Sequence, residues 1–407
     1  MHLRLVKGAY WDYEIKHAQV FGYEDYPVYS KKSLTDISFL LCAKEILKNE
    51  KIYAKFATHN AHTISSVHQL GQGKDYEFQR LYGMGELLYQ SAEKVLNLEK
   101  KPSVYAPIGS YKDLLPYLVR RLLENGANSS FINRLLDPET DANWLAENPA
   151  IRIEKEKIDI PLPKNIFTER KNSSGFDLSE NSNLENLEKS ISAHKKNKIN
   201  AESIYVNRDE KEKVGQKVYS IANNEEIGTA IFDDPTNVKS ALENFASEKW
   251  SKYSVQERSQ ILIKISNDIE KDPSELIFYL LNEAGKTIQN AIDEIREAID
   301  FLRYYSRQII EIHGKKSLQG PTGEINKISY SPKGNYLCIS PWNFPVAILI
   351  GQISAALACG NNVVVKPSEN TSILGYLIVK KFHENGVPIE TLQLILGDGM
   401  YGDVLTK

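Results

Sequence analysis

Cysteine is scarce, with only Cys42, Cys338 and Cys359 in 407 residues. They lack metal-ligand spacing and the density of a disulfide scaffold, which argues against both classes and suits a reducing cytoplasm. An excess of one charge is also missing. A formal net charge of −3 offers no basic surface for nucleic acid. Long apolar runs are absent too. The longest, VAILIGQISAALAC, contains Gln352 and Ser354 and falls short of the ~20 residues that a membrane helix needs. Pro345 before it and Gly360 behind it are start and stop signals for a buried helix. No basic region followed by an apolar one opens the chain, so no secretory signal is read.

What is present is an ordinary globular composition, 42% hydrophobic and 25% charged, long enough for two or three domains. The first part alternates strand-like and helix-like segments. LRLVKGAYW, IYAKFATHN, YEFQRLYG and SVYAPIG read as strands. TDISFLLCAKEIL, AHTISSVHQL and DLLPYLVRRLLENGA read as helices, the last closed by Gly126. Such alternation predicts a parallel α/β sheet. Polar residues gather where strands end: Lys7 and Trp11, then Thr58, His59 and Asn60, then Gln79. That is the pattern of a (β/α)8 barrel active site, with about four of its eight strands. Residues 137–215 are turn-rich, charged and Pro-punctuated, and read as a linker with one helix before the next domain starts.

Residues 216–407 return to α/β order. KSALENFASEKWSKYSVQERSQILIKISNDIEKD gives two helices, and IQNAIDEIREAIDFLRYYSRQI one long amphipathic helix. KISYSPKG, NYLCISPW, NNVVVKPS and LQLILGDG read as strands, with a helix through ILGYLIVKKFHENG. This is the βαβ order of a nucleotide-binding domain, with the chain ending just after a strand and its glycine turn.

Asn343, on a loop after a strand, can donate its amide to a developing oxyanion. Lys366 and Glu369 can hydrogen-bond ribose hydroxyls at a sheet's C-terminal edge. Read without any relative, WNFP is equally an aromatic turn of the core, and Ser368 or Glu369 a helix cap. Together, ISPWNFPV and VVVKPSEN resemble the aldehyde dehydrogenase superfamily. The resemblance implies a Rossmann-like domain that binds NAD through Ser340, Trp342, Asn343, Lys366, Ser368, Glu369 and Gly399, with Asn343 as oxyanion donor.

The first part resembles proline dehydrogenase, through RLVKGAYW, YPVYSKKSLTDISFLLCAK, FATHNAHT, YEFQRLYGMGE, YAPIGS and LVRRLLENGANSSF. EKIDIPLP, RKNSSGFDLS, EAGKT and GPTGE resemble the bifunctional enzymes that join this barrel to a 1-pyrroline-5-carboxylate dehydrogenase. The implied fold over residues 1–136 is the C-terminal half of a proline dehydrogenase (β/α)8 barrel. Arg4, Val6, Gly8, Ala9, Trp11, Ser30, Lys31, Thr58, His59, Asn60 and Gln79 match FAD-contacting positions, Ser30 where the family usually has threonine. Tyr105 matches a residue that packs on substrate, Arg120 and Arg121 the pair that binds the proline carboxylate, and Glu124 the acid that orients them. Paired guanidiniums suit a carboxylate because each can donate two parallel hydrogen bonds. Arg120 and Glu124, four apart on a helix, also fit an ordinary surface ion pair.

The implied activity is oxidation of L-proline by FAD, electrons passing to a membrane quinone, then oxidation of glutamate semialdehyde by NAD to glutamate. The implied enzyme is cytoplasmic or peripheral to the inner membrane and a homo-oligomer. Its cysteine nucleophile and base glutamate lie downstream of WNFP and KPSE in the family. Cys42, Cys338 and Cys359 read as buried packing thiols instead. The expectation is an internal piece of a longer enzyme, inactive by itself. The alternatives are a short pseudo-enzyme and a bare NAD-binding module.

Overall fold

The computed structural model describes residues 1–8, 10–126, 146–155, 160–208, 213–243, 248–314 and 317–406. The chain divides into two compact units. The first is Met1–Ala18 with Asp25–Pro161, and the second Gln19–Glu24 with Leu162–Lys407.

In the first unit, strands β1 (His2–Val6), β2 (Tyr53–Ala57), β3 (Tyr76–Leu81) and β4 (Ser103–Tyr105) form one parallel sheet in sequence order. Its helices are α1 (Trp11–Phe21), α2 (Lys32–Lys48), α3 (Ala61–Leu70), α4 (Glu86–Leu96), α5 (Tyr111–Gly126) and α6 (Pro149–Lys155). The strands alternate. Ala54, Phe56 and Phe78 pack with Phe39, Ala43 and Leu47 of α2, Ile64 and Val67 of α3, and Tyr89 of α4. The intervening positions Arg4, Lys55, Glu77 and Gln79 are polar. Helices cover the apolar face, and the period of two sends these polar side chains to the other.

Two helices go beyond the sequence reading. β1 stops at Val6, and Trp11 opens a helix rather than prolonging the strand. Asp12 and Glu14 in the first turn of α1 suit its positive end, and Ile15 and Ala18 form its buried face. α4 follows Gly85, held at φ +68° with the His59 ring close against it. Asp36 is the main buried charge: Lys7 Nζ reaches it at 2.5 Å and Thr63 Oγ1 at 2.9 Å.

The second unit has a mixed sheet of β5 (Ile199–Glu202), β6 (Lys213–Tyr219) and β7 (Glu226–Asp233), with β7 central. The strand β5 lies within the stretch read as linker. Strands β10 (Asn335–Ile339), β11 (Asn362–Lys366) and β12 (Leu392–Leu394) form a parallel sheet. Backbone bonds between Ile204 and Leu394 join the two sheets, at 2.8 and 2.7 Å. A short ribbon, β8 (Ser317–Leu318) with β9 (Asn326–Lys327), stands apart. KISYSPKG joins this ribbon only at Lys327, and Pro332 has no amide to donate to a ladder.

The second unit's helices are α7 (Asn181–Ser192), α8 (Pro235–Glu243), α9 (Val255–Lys271), α10 (Ser274–Asn282), α11 (Ile288–His313), α12 (Ala347–Ala358), α13 (Ser372–Glu384) and α14 (Gly399–Thr406). α14 replaces the expected ending on a strand and glycine turn. Ser254 and Glu257 make a capping box for α9, and α11 buries Ala291, Ile295, Ala298 and Leu302 along one stripe. α12 is buried nearly all round, as expected of VAILIGQISAALAC. None of the described helices is long and apolar enough to cross a membrane.

Two cysteines depart from the expected burial. Cys42 is exposed because α2 turns Phe39, Ala43 and Leu47 to the core, and Cys359 is exposed where α12 ends. Only Cys338, on β10, is buried.

Candidate functional sites

In the first unit the polar face of the sheet carries a connected row. Arg4 Nε donates to Gln79 Oε1 at 2.9 Å, and Gln79 Nε2 donates to Glu77 Oε1 at 2.9 Å. Lys55 pairs with Glu77 at 3.4 Å, and the Arg4 guanidinium lies 5.0 Å from the Tyr105 ring centre. Arg4, Gln79 and Tyr105 thus come from three strands to one place, at the C-terminal half of a parallel sheet.

The loop after β2 is spent largely on itself. Thr58 Oγ1 accepts from the Asn60 amide at 3.2 Å, and Asn60 Oδ1 caps α3 by accepting from the Thr63 amide at 3.0 Å. His59 Nε2 accepts from the Leu81 amide at 3.2 Å, and burial, then Arg80, pulls the imidazole's pKa down. That fixes a neutral ring with its proton on Nδ1. The Trp11 indole donates to Tyr29 O at 2.9 Å, and Lys31 Nζ to Ile153 O at 2.9 Å. Val6 at the end of β1 and Gly8 just beyond it are exposed, and Ser30 is half-buried before α2. Ala9 lies outside the described residues, as does the side chain of Glu124 on α5. Arg120 stands 4.6 Å from the Tyr10 ring centre and Arg121 5.0 Å from that of Tyr117.

These residues fit a flavin unequally. Arg4, Gln79 and Lys55 present polar atoms on an open face, whereas Thr58, Asn60 and Trp11 hold backbone and would shape the site. Lys55, Glu77 and Tyr10 escaped the sequence reading. Strand alternation in YAKFA and YEFQRL puts Lys55 and Glu77 on the face of Gln79, which is the signal that could have found them.

In the second unit the candidate residues cluster at the C-terminal ends of β10 and β11. The Ser340 amide donates to Lys366 O at 3.2 Å, which ties the two strand ends together. Ser340 Oγ is buried, with no hydrogen-bond partner among the described residues. Lys366 is 4% exposed and its ammonium donates to Pro367 O at 3.2 Å, with Glu369 at 4.0 Å. Burial pulls its pKa down, against Glu369 and Asp398. Trp342, Asn343 and Glu369 are exposed around this edge, and Gly399 opens α14 with free space where a Cβ would stand. Ser368 does cap a turn, since its hydroxyl accepts from the Asn370 amide at 3.3 Å. A buried ammonium with spare donors and an unpartnered buried hydroxyl, at the edge of a parallel sheet, fit the ribose and phosphates of a dinucleotide.

Comparison with known proteins is consistent with this division. The proline dehydrogenase family profile matches residues 1–134, and the aldehyde dehydrogenase family profile matches residues 205–407. The chain is 40% identical to the bifunctional protein PutA of Salmonella typhimurium over 418 aligned positions, covering 98% of this chain and 31% of that protein. It is 33% identical to the 1-pyrroline-5-carboxylate dehydrogenase of Bacillus subtilis, over 60% of this chain and 46% of the relative. A crystal structure of a Bradyrhizobium japonicum PutA variant superposes with a TM-score of 0.86 at 37% identity, covering all of this chain and 39% of its own. The chain therefore spans about a third of the length of the curated PutA relatives it matches. In order and in sequence, a segment matching the proline dehydrogenase family is followed here by one matching the aldehyde dehydrogenase family, and the chain is similar over nearly its whole length to the bifunctional PutA proteins.

Proposed function

We propose that this chain supplies parts of both active sites of a proline-catabolic oxidoreductase. The first unit belongs to the oxidation of L-proline to 1-pyrroline-5-carboxylate, and the second to the oxidation of glutamate semialdehyde to glutamate. The observation that carries the reading is the convergence of Arg4, Gln79 and Tyr105 on the polar face of a parallel sheet.

When bound, FAD would supply the hydride acceptor for proline and NAD the one for the aldehyde. Arg4 and Gln79 would orient the flavin through charge-assisted and amide hydrogen bonds. His59, kept neutral, would add no charge beside it. Tyr105 would offer a flat wall to the proline ring, and Arg120 and Arg121 would receive its carboxylate. In the second unit Lys366 would hold the ribose, and the Asn343 amide would meet oxygen charge as it develops.

A narrower reading of the second unit, nucleotide binding without aldehyde turnover by this chain, is favoured by its cysteines. Cys338 is buried with its thiol pushed up to about 11 by burial, so it is no thiolate near neutrality. Cys359 sits at the end of α12 remote from Asn343, and Cys42 belongs to the first unit. Electron transfer to a membrane quinone and homo-oligomerisation belong to the same proposal for the longer enzyme.

Titration of the purified chain with FAD and, separately, with NADH tests the reading. Saturable quenching of flavin fluorescence and enhancement of NADH fluorescence are expected. A chain that binds neither overturns it.

A further inference from the structure

α12 starts immediately after the WNFP loop, yet no described side chain of that loop caps it. Val346, its N-cap, offers no side-chain hydrogen bond. The unsatisfied amides of its first turn are served from elsewhere in the unit: Glu294 Oε1 on α11 accepts from the Val346 amide at 2.7 Å and the Ala347 amide at 3.2 Å. Glu294 is 1% exposed. Lys286, just before α11, pairs with its other oxygen at 2.7 Å, and the same ammonium lies 4.1 Å from the ring centre of Phe344. One ion pair therefore grips the loop twice, at the amides that end it and at the ring next to Asn343. The EAGKT motif supplies the lysine, and the stretch IQNAIDE supplies the glutamate.

We propose that Lys286 and Glu294 are positioning residues for the Ser340–Val346 loop, holding Asn343 and Trp342 in place without touching the ligand. A helix cap alone would need only the carboxylate. The ammonium over Phe344 adds a contact with the side chain next to Asn343, attractive through the ring's quadrupole. The inference rests on reading Asn343 and Ser340 as part of a dinucleotide and oxyanion site.

The test uses the full chain labelled with 5-fluorotryptophan, whose four tryptophans are Trp11, Trp144, Trp250 and Trp342. Trp342→Phe assigns the loop's fluorine resonance, and fully buried Trp250 is the control for the core. Lys286→Met and Glu294→Gln should shift or broaden the Trp342 line while the Trp250 line stays. NADH binding should weaken about tenfold, the order of effect of a loosened supporting shell. Lys286→Arg, which keeps the charge and the face-on contact, should restore both. Unchanged Trp342 lines and NADH affinity in the folded variants overturn the proposal.

Should either variant fail to fold, hydrogen exchange of the unmodified chain decides. Slow exchange at the Val346 and Ala347 amides is expected, and exchange there as fast as in open loops overturns the proposal. If the unmodified chain binds no NADH, the dinucleotide reading fails, while the Trp342 line still reports on positioning.

Discussion

The two units meet their proposed ligands in different ways. In the first, a parallel sheet is packed by helices on one face and carries Arg4, Lys55, Glu77 and Gln79 on the other, so its candidate site runs along the strands. In the second, β11 is buried at every position, and its polar residues, Asn362 and Lys366, stand at its two ends. A strand buried on both faces, as β11 is, reads as a near-continuous apolar run with its polar side chains at the ends. Two carboxyl groups that lie deeper in the second unit brace helix starts. Glu283 accepts from the Ile373 and Leu374 amides at 2.8 and 2.9 Å at the start of α13, as Glu294 does for α12.

Removing a buried charge partner should break this comparison most sharply. Lys7→Met leaves Asp36 buried with Lys32 at 3.5 Å as its remaining partner, and should destabilise the first unit by about 3–5 kcal/mol. Calorimetry should show that unit's transition falling while the second's holds. A common downward shift would show that the units do not melt apart. Acid tests the same pair. Burial raises the Asp36 pKa, but Lys7 and Lys32 together outweigh it and the net shift is downward. A lowered folded pKa stabilises above the unfolded value of about 3.9, and that stability is lost as pH falls through the folded value.

Glu283 predicts the opposite slope. It is wholly buried, and burial pushes its pKa up to about 8 against the two amide bonds. A raised folded pKa gives stability that is full below the unfolded value and declines as pH rises toward 8. The slope is at most about 1.4 kcal/mol per pH unit. Urea melts of Glu283→Gln between pH 5 and 8 should lose that decline. An unchanged slope would mean that the amides hold the carboxylate charged throughout.

At the sheet face, Arg4→Met should weaken FAD binding about tenfold, the worth of one charge-assisted hydrogen bond at roughly 1.5 kcal/mol. The melting temperature should barely move, because Arg4 is exposed. Asn60→Ala should do the reverse. It removes the cap of α3 and costs about 1 kcal/mol of stability. If it weakens FAD more than Arg4→Met does, Asn60 touches the flavin and the division between contacting and shaping residues fails.

Much of this was legible in the sequence because the signals are local. The strands in IYAKFATHN and YEFQRLYG, the cap at Ser368 and the apolar run of α12 are each set within a few residues. α1 and α4 were harder to read. α1 follows a strand with a turn too short to announce itself, and α4 is announced by a left-handed glycine, whose backbone angle no composition shows. The burial of Cys42 and Cys359 was misjudged for a related reason: which side of a helix meets the core depends on packing partners distant in sequence. Lys286 and Glu294 were in plain view, but their role depends on a contact across 52 positions, from Glu294 to Val346.

The grip on α12 also bears on synthesis. Its other end is held by Trp250, whose indole donates to Leu357 O at 2.8 Å, and by Arg258, which donates to Ala358 O at 3.0 Å. Glu294, Trp250 and Arg258 all precede this greasy dodecapeptide in the chain, and Asn361, which donates to Ala356 O at 3.2 Å, follows it closely. On the ribosome, three of its polar anchors are translated before the segment most prone to clump, and the strand β11 that completes its packing follows within a few residues.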